Sequence, residues 1–181
     1  FDYYKTAFEG CRDKVYLQMH FGANYSSGKY GWTTNRDKID REIDTLMKKL
    51  HTDYIDFGFI HCIDEPPDLR QYINGGVLER IKELHKQDVV RHIGLSTHTP
   101  AIAHKMLDTG ILDVIMFSIN PAYDYQHGKF AFGGAQERQE LYHRCEKEKV
   151  GITVMKAFAG GQLLDAKLST FGQALSKNQC I

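Results

Sequence analysis

Polar side chains that can bind a ligand or move a proton stand at or just after the ends of several apolar, strand-length segments. An imidazole takes up and releases protons near neutral pH, hydroxyl and amide groups hydrogen-bond ligands, and a lysine amine can form a Schiff base. Parallel barrels keep their chemistry at the carboxyl ends of their strands, so this pattern predicts a small-molecule site. The residues are His20, His61, Ser96, His98, Asn120, Asp124 and Lys156.

The residue types alone leave several kinds of site open. Lys156 could form a Schiff base, or could be a solvated or phosphate-contacting lysine. A histidine can be buried against backbone, and a serine, an asparagine or the Gly160-Gly161 pair can simply end a strand or form a turn. A metal centre like those of barrel hydrolases is a further alternative, although no local ligand spacing supports it. Its ligands would be His20, His61, His98 and Asp124.

The composition favours a globular protein that binds a small molecule. Of the 181 residues, 42% are hydrophobic, and 23 basic residues balance 23 acidic ones along the chain. This balance gives no basic surface for nucleic acid or for an anionic membrane. No apolar run is long enough for a membrane span or typical of a signal segment, so the predicted location is cytoplasmic. The chain starts without Met, and we expect it to be a fragment.

Apolar strand-length segments alternate with amphipathic helical segments. The first helical segment has an apolar stripe from Ile39 to Leu50, with Thr34 as its predicted N-cap. Later helices are predicted around 77–84, from Thr99 and Pro100 as N-cap and first helical residue, and over 136–149. The charge runs at 41–44 and 137–149 are interpreted as solvated helix faces. The predicted strands cover 15–21, 54–61, 91–96, 112–119 and 152–158.

The alternation of apolar strands with helices predicts parallel strands covered on both faces. Either an open doubly wound sheet or a closed (β/α)8 TIM barrel satisfies this pattern. A dinucleotide-binding doubly wound sheet normally carries G-x-G-x-x-G after its first strand, and the sequence lacks it. Polar residues at the strand ends favour the barrel. Because a complete barrel has eight units and about 250 residues, the chain is predicted to be one partial barrel domain over 1–181.

Four motifs on the predicted strands are specific in sequence and order. They are LHTDYID at 50–56 with FIH at 59–61, VRHIGLS at 90–96, FSINP at 117–121 and MKAFAGG at 155–161. Together they resemble the aldo/keto reductase family over nearly the whole chain. HCID at 61–64 and SINPAYD at 118–124 are most similar to a bacterial branch with a C-terminal iron–sulfur domain. The resemblance implies a (β/α)8 barrel in which the predicted strands are about the third to the seventh.

The resemblance also implies hydride transfer between NAD or NADP and a small carbonyl or alcohol substrate. The family's catalytic set is Asp, Tyr, Lys and His, and His61 matches the His that orients the substrate carbonyl. His20 stands where the family has Lys. A neutral imidazole lacks the permanent charge of Lys at pH 7, so His20 is expected to impair catalysis or to act as a substituted catalytic residue. The Asp and Tyr would precede residue 1, so the fragment alone is expected to be inactive.

For the cofactor, the resemblance implies hydrogen bonds from a serine and an asparagine to the nicotinamide carboxamide, and phosphate or backbone contacts after the last predicted strand. An iron–sulfur cluster and an electron-transfer partner would belong to a C-terminal region outside the chain. A barrel that binds the cofactor without turnover is the non-enzymatic alternative. Aromatic residues that could line a pocket or pack the rim are Tyr25, Tyr30, Trp32, Tyr123 and Tyr125. The expected cofactor residues are Ser96, Asn120, Lys156, Gly160, Gly161 and Gln162.

Overall fold

The structure is a computed structural model that describes residues 2–24, 27–126, 128 and 131–180. The chain divides into two compact units, Phe1–Gly94 and Leu95–Ile181. Within the described ranges, no helix has the length and the apolar character that a membrane crossing requires.

Helices and strands alternate in each unit. The first unit contains α1 (Asp2–Phe8), β1 (Gln18–Phe21), β2 (Ala23–Asn24), β3 (Gly31–Trp32), α2 (Arg36–Leu50), β4 (Ile55–Ile60), α3 (Pro66–Asn74) and α4 (Val77–Lys86). Strand β5 (Val90–Thr97) begins in the first unit and ends in the second. The second unit continues with α5 (Pro100–Leu107), β6 (Val114–Ser118), α6 (Pro121–Asp124), α7 (Ala135–Glu148), β7 (Gly151–Met155) and α8 (Lys177–Cys180). Short 3-10 helices cover Arg12–Lys14 and Ala159–Leu164.

Strands β1 and β4 of the first unit pair in parallel. His20 lies opposite Phe59 in this ladder, and β4 also lies beside the start of β5. Nearly every residue of β4 is buried, as expected for a parallel strand covered on both faces. Strand β1 begins later than the predicted residue 15, because the Leu17 N–H donates to the Asp56 carboxylate at 2.9 Å.

The second unit also contains a parallel strand pair. Val114 of β6 lies opposite Gly151 of β7, and Ser118 lies opposite Met155. The chain passes from β6 to β7 through α7, which gives a strand, a helix and a parallel strand in succession. The predicted strand and helix alternation is therefore confirmed in each unit, with the strand ends shifted by one to three residues.

The N-terminus of α2 differs by one residue from the prediction. Asn35, rather than Thr34, is the N-cap, and its side-chain Oδ1 accepts a hydrogen bond from the Lys38 N–H at 3.0 Å. Thr34 is buried instead. Threonine and asparagine are both common N-caps, so residue type does not distinguish these neighbours.

A small antiparallel hairpin, β2 with β3, follows β1, in a segment for which the sequence predicts no strand. Ala23 pairs with Trp32, and the Thr33 N–H donates to the Gly22 carbonyl at 2.9 Å. Gly22 has φ +105°, and a Cβ there would lie 2.7 Å from the Thr33 carbonyl oxygen. Glycine therefore permits the sharp turn from β1 into the hairpin. A strand of two residues is too short to show the alternation of apolar and polar residues from which a strand is predicted.

Gly58 in β4 allows close packing inside the first unit. A Cβ at this position would overlap the Phe21 ring and would lie 2.8 Å from Val90 Cγ1. We expect Gly58→Ala to lower the free energy of unfolding of the full-length protein by about 1–3 kcal/mol, the usual cost of overpacking a core. Urea unfolding measures this loss. The matched control is Gly151→Ala, where a Cβ meets its nearest neighbours at an ordinary 3.7 Å. Equal effects of the two substitutions would contradict the packing argument.

Candidate active site

His20 and His61 meet at the carboxyl ends of β1 and β4. The parallel register places Phe21 opposite Ile60, and the His61 N–H continues the ladder by donating to the Phe21 carbonyl at 3.1 Å. The two imidazole Nδ1 atoms are 2.9 Å apart, with the rings nearly perpendicular at 88°. The structure thus joins the two predicted catalytic histidines by a direct hydrogen bond.

The surroundings of His20 keep its imidazole neutral. The ring stacks on Phe59 with centroids 5.3 Å apart, and its Nε2 lies 2.7 Å from the Gln18 amide nitrogen. Burial lowers the pKa of His20 below its usual value, because the apolar surroundings disfavour the charged form. At pH 7 this imidazole therefore does not supply the positive charge of a lysine.

The hairpin residues Tyr30 and Trp32 both contact His61. The Tyr30 hydroxyl oxygen lies 2.9 Å from His61 Nε2, and Trp32 Nε1–H donates to the His61 carbonyl at 2.9 Å. The Tyr30 side chain is 58% exposed. The sequence predicts these aromatic residues only as pocket or rim residues, and Tyr25, of the same prediction, lies outside the described residues.

The Asn120 side chain hydrogen-bonds to two backbone groups of the second unit. Its Oδ1 accepts from the Tyr123 N–H at 3.0 Å as the N-cap of α6, and its Nδ2 donates to the Lys156 carbonyl at 2.8 Å. Ser96 is buried in β5. The turn-capping interpretation of Asn120 is therefore seen directly, and carboxamide binding by either residue stays a prediction.

Three of the predicted cofactor residues line one pocket in the second unit. This pocket has a volume of about 290 Å³, and its wall includes Lys156, Gly160 and Gln162. Gly160 and Gly161 have φ values of +70° and +90°, and a Cβ at either position would meet no atom within 4 Å. The backbone of this turn is therefore open to a ligand. An ammonium group, an amide side chain and accessible backbone suit an anion such as a phosphate.

Two of the residues proposed as metal ligands have other partners within the second unit. Lys156 Nζ lies 2.6 Å from His98 Nε2, and because an ammonium only donates, His98 Nε2 accepts this bond. Asp124 Oδ1 accepts from Arg138 Nε at 2.8 Å and from the Tyr142 hydroxyl at 2.9 Å. These contacts show which partners His98 and Asp124 have within the second unit, and the metal alternative stays a hypothesis.

Arg138 corrects the prediction that residues 137–149 form a solvated helix face. Its side chain is fully buried, with Nη1 donating to the Phe132 carbonyl at 3.3 Å and Nη2 donating to the Ser118 carbonyl. Its guanidinium also lies over the Phe117 ring, 4.8 Å from the centroid. Arg138 precedes the buried residues Leu141 and Cys145 by three and seven positions, a helical spacing that places all three on one face.

A larger cavity of about 860 Å³ adjoins this network. Asn120, Asp124 and Tyr142 contribute to its wall, together with Tyr125 of the predicted aromatic set. Burial raises the pKa of Tyr142 above its usual range, so its hydroxyl stays protonated and donates to Asp124. Tyr123 belongs to the small core of the second unit and also lines the 290 Å³ pocket that contains Lys156.

Comparisons with known proteins give one consistent result. The sequence model described as the aldo/keto reductase family matches residues 4–178. Among curated proteins, aldo-keto reductase YhdN of Bacillus subtilis (strain 168) is 27% identical over 115 residues. That alignment covers 64% of this chain and 32% of the relative.

Solved structures of the same kind have a similar fold. The holo form of aldo-keto reductase AKR11C1 from Bacillus halodurans superposes with a TM-score of 0.67 at 22% identity, over 91% of this chain and 50% of that one. An aldo/keto reductase from Klebsiella pneumoniae in complex with NADP and acetate gives 0.62 at 16% identity, over 91% and 51%. The chain therefore spans about a third to a half of these relatives, and the prediction of an incomplete (β/α)8 barrel is confirmed.

Proposed function

The chain belongs to the aldo/keto reductase family, and we propose that the full-length protein is an oxidoreductase that transfers a hydride between a nicotinamide cofactor and a small carbonyl or alcohol substrate. The family match extends over nearly the whole described chain. The observation that carries the proposal is the meeting of His20 and His61 at the ends of β1 and β4, where a parallel barrel keeps its catalytic groups.

The pocket that contains Lys156 fits the phosphates of a dinucleotide. Lys156 would place its ammonium against a phosphate, and the open turn at Gly160 would present backbone N–H groups. An ammonium carries three donors, so Lys156 can bind His98 and a phosphate at the same time. The Klebsiella structure with bound NADP supports a cofactor of this class. The choice between NAD and NADP stays open.

His61 would orient the substrate carbonyl. When bound, the reduced nicotinamide supplies a hydride to the carbonyl carbon. Negative charge then develops on the carbonyl oxygen, and an N–H or O–H donor close to that oxygen stabilises it. Tyr30 is 58% exposed, and its hydroxyl oxygen lies 2.9 Å from His61 Nε2. The carbonyl oxygen of a substrate could therefore reach these two groups.

His20 would act through His61 rather than as a cation. Its lowered pKa and its direct bond to His61 Nδ1 make it a neutral hydrogen-bond partner. The proposed enzyme therefore works without the lysine charge of the family at this position, and slower turnover than that of lysine-containing members is expected. An iron–sulfur cluster, an electron-transfer partner and a cytoplasmic location stay predictions.

Titration of the full-length protein with NADPH and NADH, followed by protein fluorescence, tests the proposal. We expect micromolar binding of at least one cofactor. Lys156→Met should raise its Kd roughly 10- to 100-fold, the usual loss for a charge-assisted hydrogen bond. The control is Lys147→Met, on the exposed side of α7, which should leave the Kd unchanged.

Other outcomes would favour the alternatives. If neither cofactor binds, the oxidoreductase proposal is wrong. Metal analysis of the purified protein would then test the alternative of a metal-dependent barrel hydrolase. Binding without turnover on any carbonyl substrate would indicate a non-catalytic cofactor-binding barrel.

A further inference from the structure

The cavity of about 860 Å³ in the second unit has a wall of amide side chains, tyrosine rings and a few apolar residues. Among the residues that the structure describes, Asp124 is the one charged side chain in this wall, and no lysine, arginine or histidine contributes to it. An anionic ligand would therefore meet no cation in the cavity. The amide and tyrosine members are Asn120, Gln136, Gln139, Gln179, Tyr125 and Tyr142.

The carboxylate of Asp124 is neutralised from inside the protein. Its Oδ1 accepts from Nε of the buried Arg138 at 2.8 Å and from the Tyr142 hydroxyl at 2.9 Å. The Asp124 side chain is 34% exposed, and its Oδ2 makes no hydrogen bond within the described ranges. A carboxylate oxygen in this state can accept from two donors. The cavity therefore offers a fixed acceptor whose charge needs no cation from the ligand.

Three glutamine side chains of α7 and α8 supply further donors and acceptors. Gln139 makes no hydrogen bond to any other described residue. Gln136 Nε2 donates to Glu140 at 2.9 Å, so its Oε1 stays available as an acceptor. Gln179 Oε1 accepts from Ser176, so its Nε2 stays available as a donor. Amide groups both donate and accept, and this set therefore suits a ligand with several hydroxyl groups, which do the same.

Tyr125 adds an aromatic surface to the same wall. It follows α6 directly, and its side chain is 70% exposed. An aromatic ring packs against apolar groups of a ligand and leaves the polar groups to other partners. A pyranose ring presents C–H groups on its faces and hydroxyl groups around its edge. Tyr125, Gln139 and Asp124 together match both kinds of surface.

We propose that this cavity is a binding site for a neutral sugar. Its volume lies within the range of about 300–1,000 Å³ that is usual for ligand sites. Asn120 takes no part, because its amide already binds the Tyr123 N–H and the Lys156 carbonyl. The proposal goes beyond the oxidoreductase function and does not depend on it, since the histidine pair belongs to the first unit and the cavity to the second.

Titration of the full-length protein with methyl α-D-glucopyranoside, followed by the NMR signals of the ligand, tests the proposal. This probe is neutral, and its blocked anomeric carbon cannot open to a carbonyl. We expect a Kd of about 1 mM, as for a small polar ligand of this size. The methyl glycoside of glucuronic acid should bind roughly tenfold more weakly, because its carboxylate would face Asp124 without a cation. No binding of the neutral glycoside, or equal binding of the acid, would overturn the proposal.

Substitution of two exposed side chains locates the bound sugar. Gln139→Leu removes the amide at nearly constant size, and Tyr125→Ala removes the ring. Each should raise the Kd for the glycoside roughly 2- to 10-fold, the usual range for one hydrogen bond or one aromatic contact. The matched controls are Gln173→Leu, at an exposed position of the same unit outside the cavity wall, and Tyr16→Ala, at a residue that is 85% exposed in the first unit. If all four variants bind the glycoside equally well, the sugar binds elsewhere and the proposal is wrong.

The nicotinamide cofactor separates this proposal from the oxidoreductase function. Saturation with cofactor should leave the Kd for the glycoside unchanged, and His61→Ala should bind the glycoside as the unsubstituted protein does. If the cofactor displaces the glycoside, the cavity belongs to the cofactor site, so the sugar proposal fails and the oxidoreductase proposal stands. If the glycoside binds and neither NADPH nor NADH does, the sugar proposal stands alone. If none of the three binds, both proposals fail.

Discussion

Replacement of His61 with alanine should lower kcat of the full-length protein by roughly 100- to 10,000-fold, the range for loss of a positioned acid–base group. The His61 side chain lies within hydrogen-bond distance of both the His20 ring and the Tyr30 hydroxyl. Its removal therefore takes away the imidazole that we propose orients the substrate carbonyl. The measurement is steady-state carbonyl reduction together with cofactor binding.

The alanine variant separates this chemical role from a structural one. The His61 N–H to Phe21 bond and the Trp32 bond to the His61 carbonyl both involve backbone, so alanine keeps them. Cofactor affinity should stay unchanged, and added imidazole should restore part of the activity. His143→Ala is the control, since its side chain is 69% exposed on α7. Unchanged kcat in His61→Ala, or a loss that imidazole does not relieve, would contradict the role.

Replacement of Arg138 with methionine should lower the free energy of unfolding by about 2–4 kcal/mol, which is measured by urea unfolding of the full-length protein. The guanidinium holds Asp124 and the carbonyls of Ser118 and Phe132 inside the second unit. Methionine fills a similar volume but donates no hydrogen bond, so these acceptors lose a partner. The loss is moderated because the Asp124 side chain is 34% exposed and water can solvate it.

Arg144 on the same helix provides the control for Arg138. It pairs with Asp108 and Glu148 at 2.7 Å each, but these partners are 67% and 38% exposed. Ion pairs at such a surface contribute about 0–1 kcal/mol, so Arg144→Met should have a small effect. If the two variants lost similar free energies of unfolding, the burial of Arg138 would not explain its contribution to stability.

Much of the secondary structure could be predicted because periodicity and strand length are local properties. Apolar residues at regular spacing predict strands β4 and β5 and helices α2 and α4. The N-cap of α2 could not be assigned to Asn35 rather than Thr34, since both types cap helices. The helix α3 was missed because only Leu69 and Tyr72 of its nine residues are buried.

The sequence by itself determined which residues stand at the ends of the strands, and therefore that His20 and His61 would be candidates for one site. It also indicated the family through four motifs on the predicted strands, and the family match over residues 4–178 confirms this prediction. The hydrogen-bond partners of each polar group were not determined in this way. They depend on distances between residues far apart in the chain.

Only the tertiary structure decided that Tyr30 joins the histidine pair and that Arg138 is buried. Tyr30 reaches His61 across 31 residues through a hairpin too short to have a periodic pattern. Arg138 belongs to a charged run, and its burial depends on the carbonyls and the carboxylate that β6 and α6 place against α7. A charged or polar side chain is buried only where the fold supplies its partners, and local sequence does not specify those partners.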